Sequence, residues 1–134
     1  MKYFEWKQNF SVNVKIIDAQ HQHFVNILNR IYSTCQSNSF GELEVLINEL
    51  FVYAQLHFET EEKYFKKFKY SGAKEHIEEH KKIVAKVTKF LTKKNDDPIK
   101  TGFELIDFLE DWLVDHLAVM DKKYTACFNE HGLL

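Results

Sequence analysis

The sequence predicts an all-α protein: an antiparallel up-down-up-down four-helix bundle preceded by an irregular N-terminal arm. Three observations lead there. Apolar residues recur at helical spacing through four long stretches. Only four Gly and one Pro are present, too little turn chemistry for a fold rich in strands. The breaks between stretches are short, so successive helices must run antiparallel. With 134 residues, 45% apolar and 15% aromatic, the chain is expected to form one domain over residues 1–134 with a real core, and disorder is excluded.

Residues 1–17 read as an extended arm that lays Phe4, Trp6, Phe10, Val12, Val14 and Ile16 along a helical body, with Trp6 as core cover. Asp18 is placed to cap a first helix over Ala19–Cys35, whose inner face carries Phe24, Ile27, Leu28, Ile31 and Cys35. His21 falls on that face. His23 lies about 200° round the helix from it and is expected in solvent. Ser39 and Glu42 form a capping box for the second helix. Its stripe of Leu43, Leu46, Ile47, Leu50, Ala54, Phe58 and Phe65 takes in His57 and Glu61, with Glu59, Glu62 and Lys63 off it. The segment 69–72 ends that helix.

The third helix is expected over Ala73–Lys94, with His76, Ile77, His80, Ile83, Val84, Val87 and Leu91 inward. Asn95-Asp96-Asp97-Pro98 is the strongest turn, its proline suited to a first helical turn. The last helix should run from Ile99 or Thr101 to Phe128. Phe103, Ile106, Leu109, Leu113, Leu117, Met120 and Tyr124 line it, with His116 and Asp121 among them. His131 is expected in a frayed, unstructured tail.

Eighteen basic and 20 acidic residues give a formal charge of -2, which predicts no general attraction to nucleic acid or acidic membranes. Cys35 and Cys127 are too few for a disulfide framework and suit free thiols in a reducing compartment. There is no signal-peptide pattern and no apolar run of membrane-spanning length, so a cytoplasmic location is expected.

Every helix contributes inward polar groups: His21; His57 and Glu61; His76 and His80; His116 and Asp121. One inward histidine is ordinarily a hydrogen-bonded core residue, and one His-x-x-x-His pair says little. Seven such groups in one small bundle would cost many times the stability of a domain unless a metal centre accepts them. Five imidazoles, two bridging carboxylates and one shared oxygen would fill all but one of the positions of two octahedral ions. Nitrogen and carboxylate donors with an open position suit iron better than zinc. His116 and Asp121 are five apart, about 140° on an ideal helix. They must converge from opposite flanks or sit on a local π-bulge.

The order Asp18-Ala19-Gln20-His21, His57-Phe58-x-x-Glu61-Glu62, His76-x-x-x-His80 and His116-x-x-x-x-Asp121 resembles the hemerythrins, specifically single-domain bacteriohemerythrins. Trp6 and Ser11-Val12 resemble that family's N-terminal arm. The resemblance covers essentially the whole chain. It implies reversible dioxygen binding at a non-haem di-iron centre, for storage, transport or buffering. His76, His80 and His116 would hold a coordinatively saturated iron and His21 and His57 an open one. Glu61 and Asp121 would bridge the two, together with an oxo or hydroxo group.

Phe24, Phe58, Trp112, Leu113 and Leu117 occupy positions suited to an apolar O2 pocket, although each is a core position of any bundle. Tyr124 suits either an outer partner of Asp121 or a plain core tyrosine. The alternatives are a di-iron enzyme (iron oxidase, peroxidase or nitric-oxide-consuming) or an O2 or redox sensor module. The imidazole-rich donor set, with no spare acid–base residue beside the open position, favours binding over turnover. No catalytic residue is assigned, and no motif names a protein partner.

Overall fold

The computed structural model describes residues 4–37, 40–92 and 97–134. Within them, Asn9, Phe40, Leu91, Pro98, Leu117 and Ala118 are described by their backbone alone. Four long helices form an all-α bundle: α1 (Lys15–Ser37), α2 (Phe40–Phe68), α3 (Ala73–Thr92) and α4 (Pro98–Asp115). The fourth continues through a π-helical turn at His116–Met120 and a 3-10 turn at Asp121–Tyr124 into α5 (Thr125–Glu130). Backbone angles stay helical at each of these junctions. Each helix packs on its sequence neighbour, and α1 packs on α4. No strand occurs among the described residues.

The first helix starts one turn earlier than its sequence suggests, because Asp18 does not cap it. The Asp18 amide instead donates to the Val14 carbonyl at 2.9 Å, so Lys15–Ile17 are already helical. The Asp18 carboxylate accepts from the Val12 amide at 2.8 Å and from the Ser11 hydroxyl at 2.6 Å, pinning the arm. Asn13 takes the left-handed conformation (φ 55°) that lets the arm turn there, and asparagine tolerates it better than most residues. The arm is also tied to the far end of the chain, by Thr125 Oγ1 donating to the Val12 carbonyl at 2.8 Å. Ile16, expected to cover the core, is about half exposed because the helix turns it outward.

α2 ends in a Schellman motif without glycine. Lys69 takes the left-handed position (φ 52°), and the Tyr70 amide donates to the Phe65 carbonyl at 2.9 Å. The Tyr70 and Phe65 rings supply the accompanying apolar contact, 5.2 Å apart. α5 closes with the same bonds around Gly132 (φ 86°), where the Leu133 amide donates to the Phe128 carbonyl at 2.9 Å. That closure orders the C-terminal turn, so the expectation of an unstructured His131 fails. His131 stacks on Phe68 at 4.6 Å, and its Nδ1 lies 2.8 Å from the Cys127 carbonyl.

Other details of the helix ends and faces follow from packing. Asp97 caps α4, its side chain accepting from the Lys100 amide at 3.1 Å, with Pro98 in the first turn. α3 is described as far as Thr92, and its expected end at Lys94 lies outside the described residues, as do 93–96 as a whole. The capping box at Ser39 lies outside them too. Phe103, assigned inward by its spacing, is 38% exposed, and Leu105 is fully buried in its stead. His23 is half-buried against Tyr53, with ring centroids 4.1 Å apart. Gly102 lets α4 approach closely: a Cβ there would lie 2.5 Å from Cys35 Sγ. Both cysteines are free thiols.

The buried apolar residues fall into two clusters. The larger runs from Phe4 and Phe24 through Ile31, Leu43, Leu50 and Val87 to Leu113. The smaller gathers Val12, Val14 and Ile17 with Phe65, Tyr124 and Phe128. Between them lies a layer of buried polar side chains.

Candidate metal centre

Seven side chains make this layer: His21 from α1, His57 and Glu61 from α2, His76 and His80 from α3, His116 and Asp121 from the two ends of the π turn. None is more than 3% exposed. His57 and Glu61, like His76 and His80, share a helix face through their four-residue spacing. His116 and Asp121 do so through the π-helix, since the Asp121 amide donates to the His116 carbonyl five residues back. The widened turn brings both side chains to one side. Of the two geometries the spacing allowed, the molecule uses the bulge.

All five histidines present Nε2 to the two carboxylates. Asp121 Oδ1 lies 2.8 Å from His76 and 2.8 Å from His116, while Oδ2 lies 2.9 Å from His21 and 3.9 Å from His57. Glu61 Oε1 is 3.0 Å from His57 and 3.1 Å from His80, and Oε2 is 3.8 Å from His76. Asp121 therefore directs one oxygen to each side of the layer, and Glu61 lies between His57 and His80.

Short as these distances are, the angles do not make hydrogen bonds. Both oxygens of Glu61 and Asp121, and Nε2 of His76, His80 and His116, lack a hydrogen-bond partner although fully buried. Buried polar atoms that come this close without hydrogen-bond geometry converge on shared points. Two overlapping groups result, Glu61 with His76, His80 and His116, and His21 with His57, Glu61 and Asp121. Within each, the donor atoms lie within 4.8 Å of one another. Both are sets of imidazole and carboxylate donors that a cation would satisfy. The cluster fits a metal site.

The electrostatics point the same way. Burial and the neighbouring Asp121 push the Glu61 pKa up, but His57 and His80 outweigh them, leaving it below the usual carboxylate range. Burial likewise opposes ionisation of Asp121, yet His116, His21 and His76 hold its pKa well below normal. Burial depresses His21 despite Asp121, whereas at His116 the pull of Asp121 overcomes burial and the pKa rises. Both carboxylates are thus held as anions, and without a cation the compensating charge must come from imidazole protons. Tyr124, fully buried with its hydroxyl unpartnered, has its pKa raised well above normal by burial and the nearby carboxylates, so it stays a neutral phenol.

Around this layer, two histidines have outer partners that hold the proton on Nδ1 and leave Nε2 free to donate its lone pair. His57 Nδ1 lies 2.7 Å from Gln20 Oε1, and Gln20 Nε2 donates to Thr60 Oγ1 at 3.1 Å. His80 Nδ1 lies 3.0 Å from Glu62 Oε2. The periodicity of α2 put Glu62 outside the site and gave Thr60 no role. Gln20 stood only as part of a motif. Nothing in a single sequence marks such partners, because their contacts cross between helices.

Aromatic rings close the layer on several sides. Phe58 stacks on His80 at 4.0 Å and Trp112 on His116 at 4.6 Å. Next to it is an apolar cavity of about 20 Å³ within the larger cluster. Phe24, Phe58, Trp112 and Leu113 are among its walls, and Phe24 and Phe58 also touch the His57 ring, at 5.4 and 5.7 Å. The side chain of Leu117 lies outside the described ones.

The chain is similar to known proteins in sequence and in fold. The family model for the hemerythrin HHE cation binding domain matches residues 12–127. A bacteriohemerythrin of Clostridium acetobutylicum is 30% identical over 126 residues, covering 90% of this chain and 98% of that one. A bacteriohemerythrin of Methylococcus capsulatus is 28% identical, covering 90% and 92%. Among solved structures, a wild-type hemerythrin superposes with a TM-score of 0.79 at 26% identity, covering 93% of this chain and 97% of that one. No helix among the described residues is long and apolar enough to cross a membrane. By family model, relatives and fold together, the chain belongs to the hemerythrin family.

Proposed function

We propose that this protein binds dioxygen reversibly at a di-iron centre, for storage, transport or buffering, as a single cytoplasmic domain and not as an enzyme. One observation carries the reading: five imidazoles and two carboxylates, all buried and without hydrogen-bond partners for most of their inner atoms, converge beside a dry apolar cavity. His76, His80 and His116 would hold one ion and His21 and His57 the other, with Glu61 and Asp121 spanning both. Bound there, an iron pair would supply the reversible electron transfer that dioxygen binding requires.

The chain's own contribution is to position donors and exclude water. Gln20 and Glu62 keep the His57 and His80 lone pairs turned inward. Phe24, Phe58, Trp112, Leu113 and Leu117 form the proposed O2 pocket. The cavity that Phe24, Phe58, Trp112 and Leu113 help to line is large enough for about one small molecule, and its described walls offer water too few polar partners to hold it. Dryness favours return of unaltered O2 over its irreversible, proton-coupled reduction. Among the described residues, no acid or base lines the cavity to deliver a proton.

The test is visible absorption of the anaerobically reduced, iron-loaded protein before air, in air, and after purging. A charge-transfer band that appears with oxygen and leaves on purging is expected. If air gave only a stable oxidised spectrum, the carrier reading would fail, and turnover of Fe2+, peroxide or nitric oxide would be measured next.

A further inference from the structure

Two histidines of the centre have outer partners of different charge. His80 faces a carboxylate, Glu62, and His57 faces a neutral amide, Gln20. A carboxylate on Nδ1–H makes a charge-assisted hydrogen bond and pushes electron density towards Nε2, strengthening the imidazole as a donor. An amide orients the ring but adds no charge. Glu62 is placed for this work. It is only partly exposed, and among the described residues no lysine or arginine pairs with it, so its charge acts on His80. Its partner His80 is buried and stacked on Phe58, so the ring has little freedom to turn away.

The two donor groups share Glu61 and differ otherwise. One adds three imidazoles, the other two imidazoles and Asp121. Asp121 turns its other oxygen to His76 and His116, so its charge acts on both sides, and Glu62 adds a further negative charge on the three-imidazole side alone. That charge and the third imidazole together favour this side for a first-row divalent ion of intermediate softness. We propose that the two metal positions fill in a set order, the His76–His80–His116 position first, and that Glu62 sets this order through His80. Glu62 touches neither metal position and is a positioning residue. The inference rests on the reading that the cluster holds two ions.

Titration of the metal-free protein with Co2+ tests both statements separately, followed by the visible d–d bands and by the metal bound per chain. Wild type should bind two Co2+ in two steps with distinct spectra. Glu62→Gln keeps an acceptor for His80 and removes the charge. It should weaken the first step about 10- to 100-fold and spare the second. Gln20→Glu should strengthen the second step and narrow the gap from the other side, a gain that damaged folding cannot mimic. If Glu62→Gln left both steps unchanged, or weakened both equally, the proposed order would be wrong. A wild-type protein that bound fewer than two Co2+ would instead remove the two-ion reading beneath it.

Discussion

At one level of the bundle Ile31, Leu43, Leu46, Val87, Leu105 and Ile106 fill the core with carbon; a few turns away five histidines and two carboxylates occupy equivalent inward positions. The two regions are equally shielded from water. In the first, burial itself is the stabilising term, roughly 25 cal/mol per Å² of apolar surface. In the second, burial works against the fold, and the cost is met by whatever satisfies the unpartnered atoms. One region is satisfied by its own side chains, and the other carries the donor set of a metal site.

Metal removal should separate the two regions most sharply. At a free-metal level a thousandfold above Kd, loss of one ion costs about 4 kcal/mol, and loss of two costs more. Hydrogen exchange should show where: amides around His57–His80 and His116–Tyr124 should lose protection in the metal-free protein while those around Ile31 and Leu46 keep theirs. Uniform loss of protection would mean that the polar layer and the carbon core are a single unit.

A cut in the carbon region gives the converse. Ile31→Ala should cost about 3 kcal/mol, from lost transfer energy plus the cavity left behind. That cost should be alike with and without metal, and metal stoichiometry should not change. Chemical denaturation of both forms measures it, and a cost confined to the metal-bound form would contradict the separation.

The smallest effect lies at the end of α2. Lys69 holds a left-handed position that Gly132 holds at the other helix end. Lys69→Gly should therefore stabilise the protein by up to about 1 kcal/mol, through removal of Cβ strain net of glycine's entropy. A destabilised variant would show that the Lys69 side chain contributes contacts of its own.

How much of this was legible beforehand depended on the range of each interaction. The four helices, the inward seven and the need for either a bulge or convergence from opposite flanks at His116 and Asp121 all follow from spacing along one helix, a local quantity. The start of α1 was misplaced because Asp18 reads as a cap, yet its carboxylate reaches back to the arm. Phe103 was assigned inward because it shares the spacing of Ile106 and Leu109, but the face that α4 turns to its neighbours is decided by packing. His131 was read as part of a frayed tail, whereas Gly132 closes a turn there that sets His131 on Phe68 and ties Leu133 to Phe128.

By itself, then, the sequence determined the fold class, the helical faces and the chemical character of the buried layer, since helical periodicity ties each side chain to a face. Only the tertiary structure decided which donors meet. It set Asp121 with one oxygen to each side, Glu62 behind His80, Gln20 behind His57 and an apolar cavity against Phe24 and Phe58. Those pairings join residues on different helices, and their geometry depends on how the helices are rotated and shifted against one another, which no spacing within one helix records.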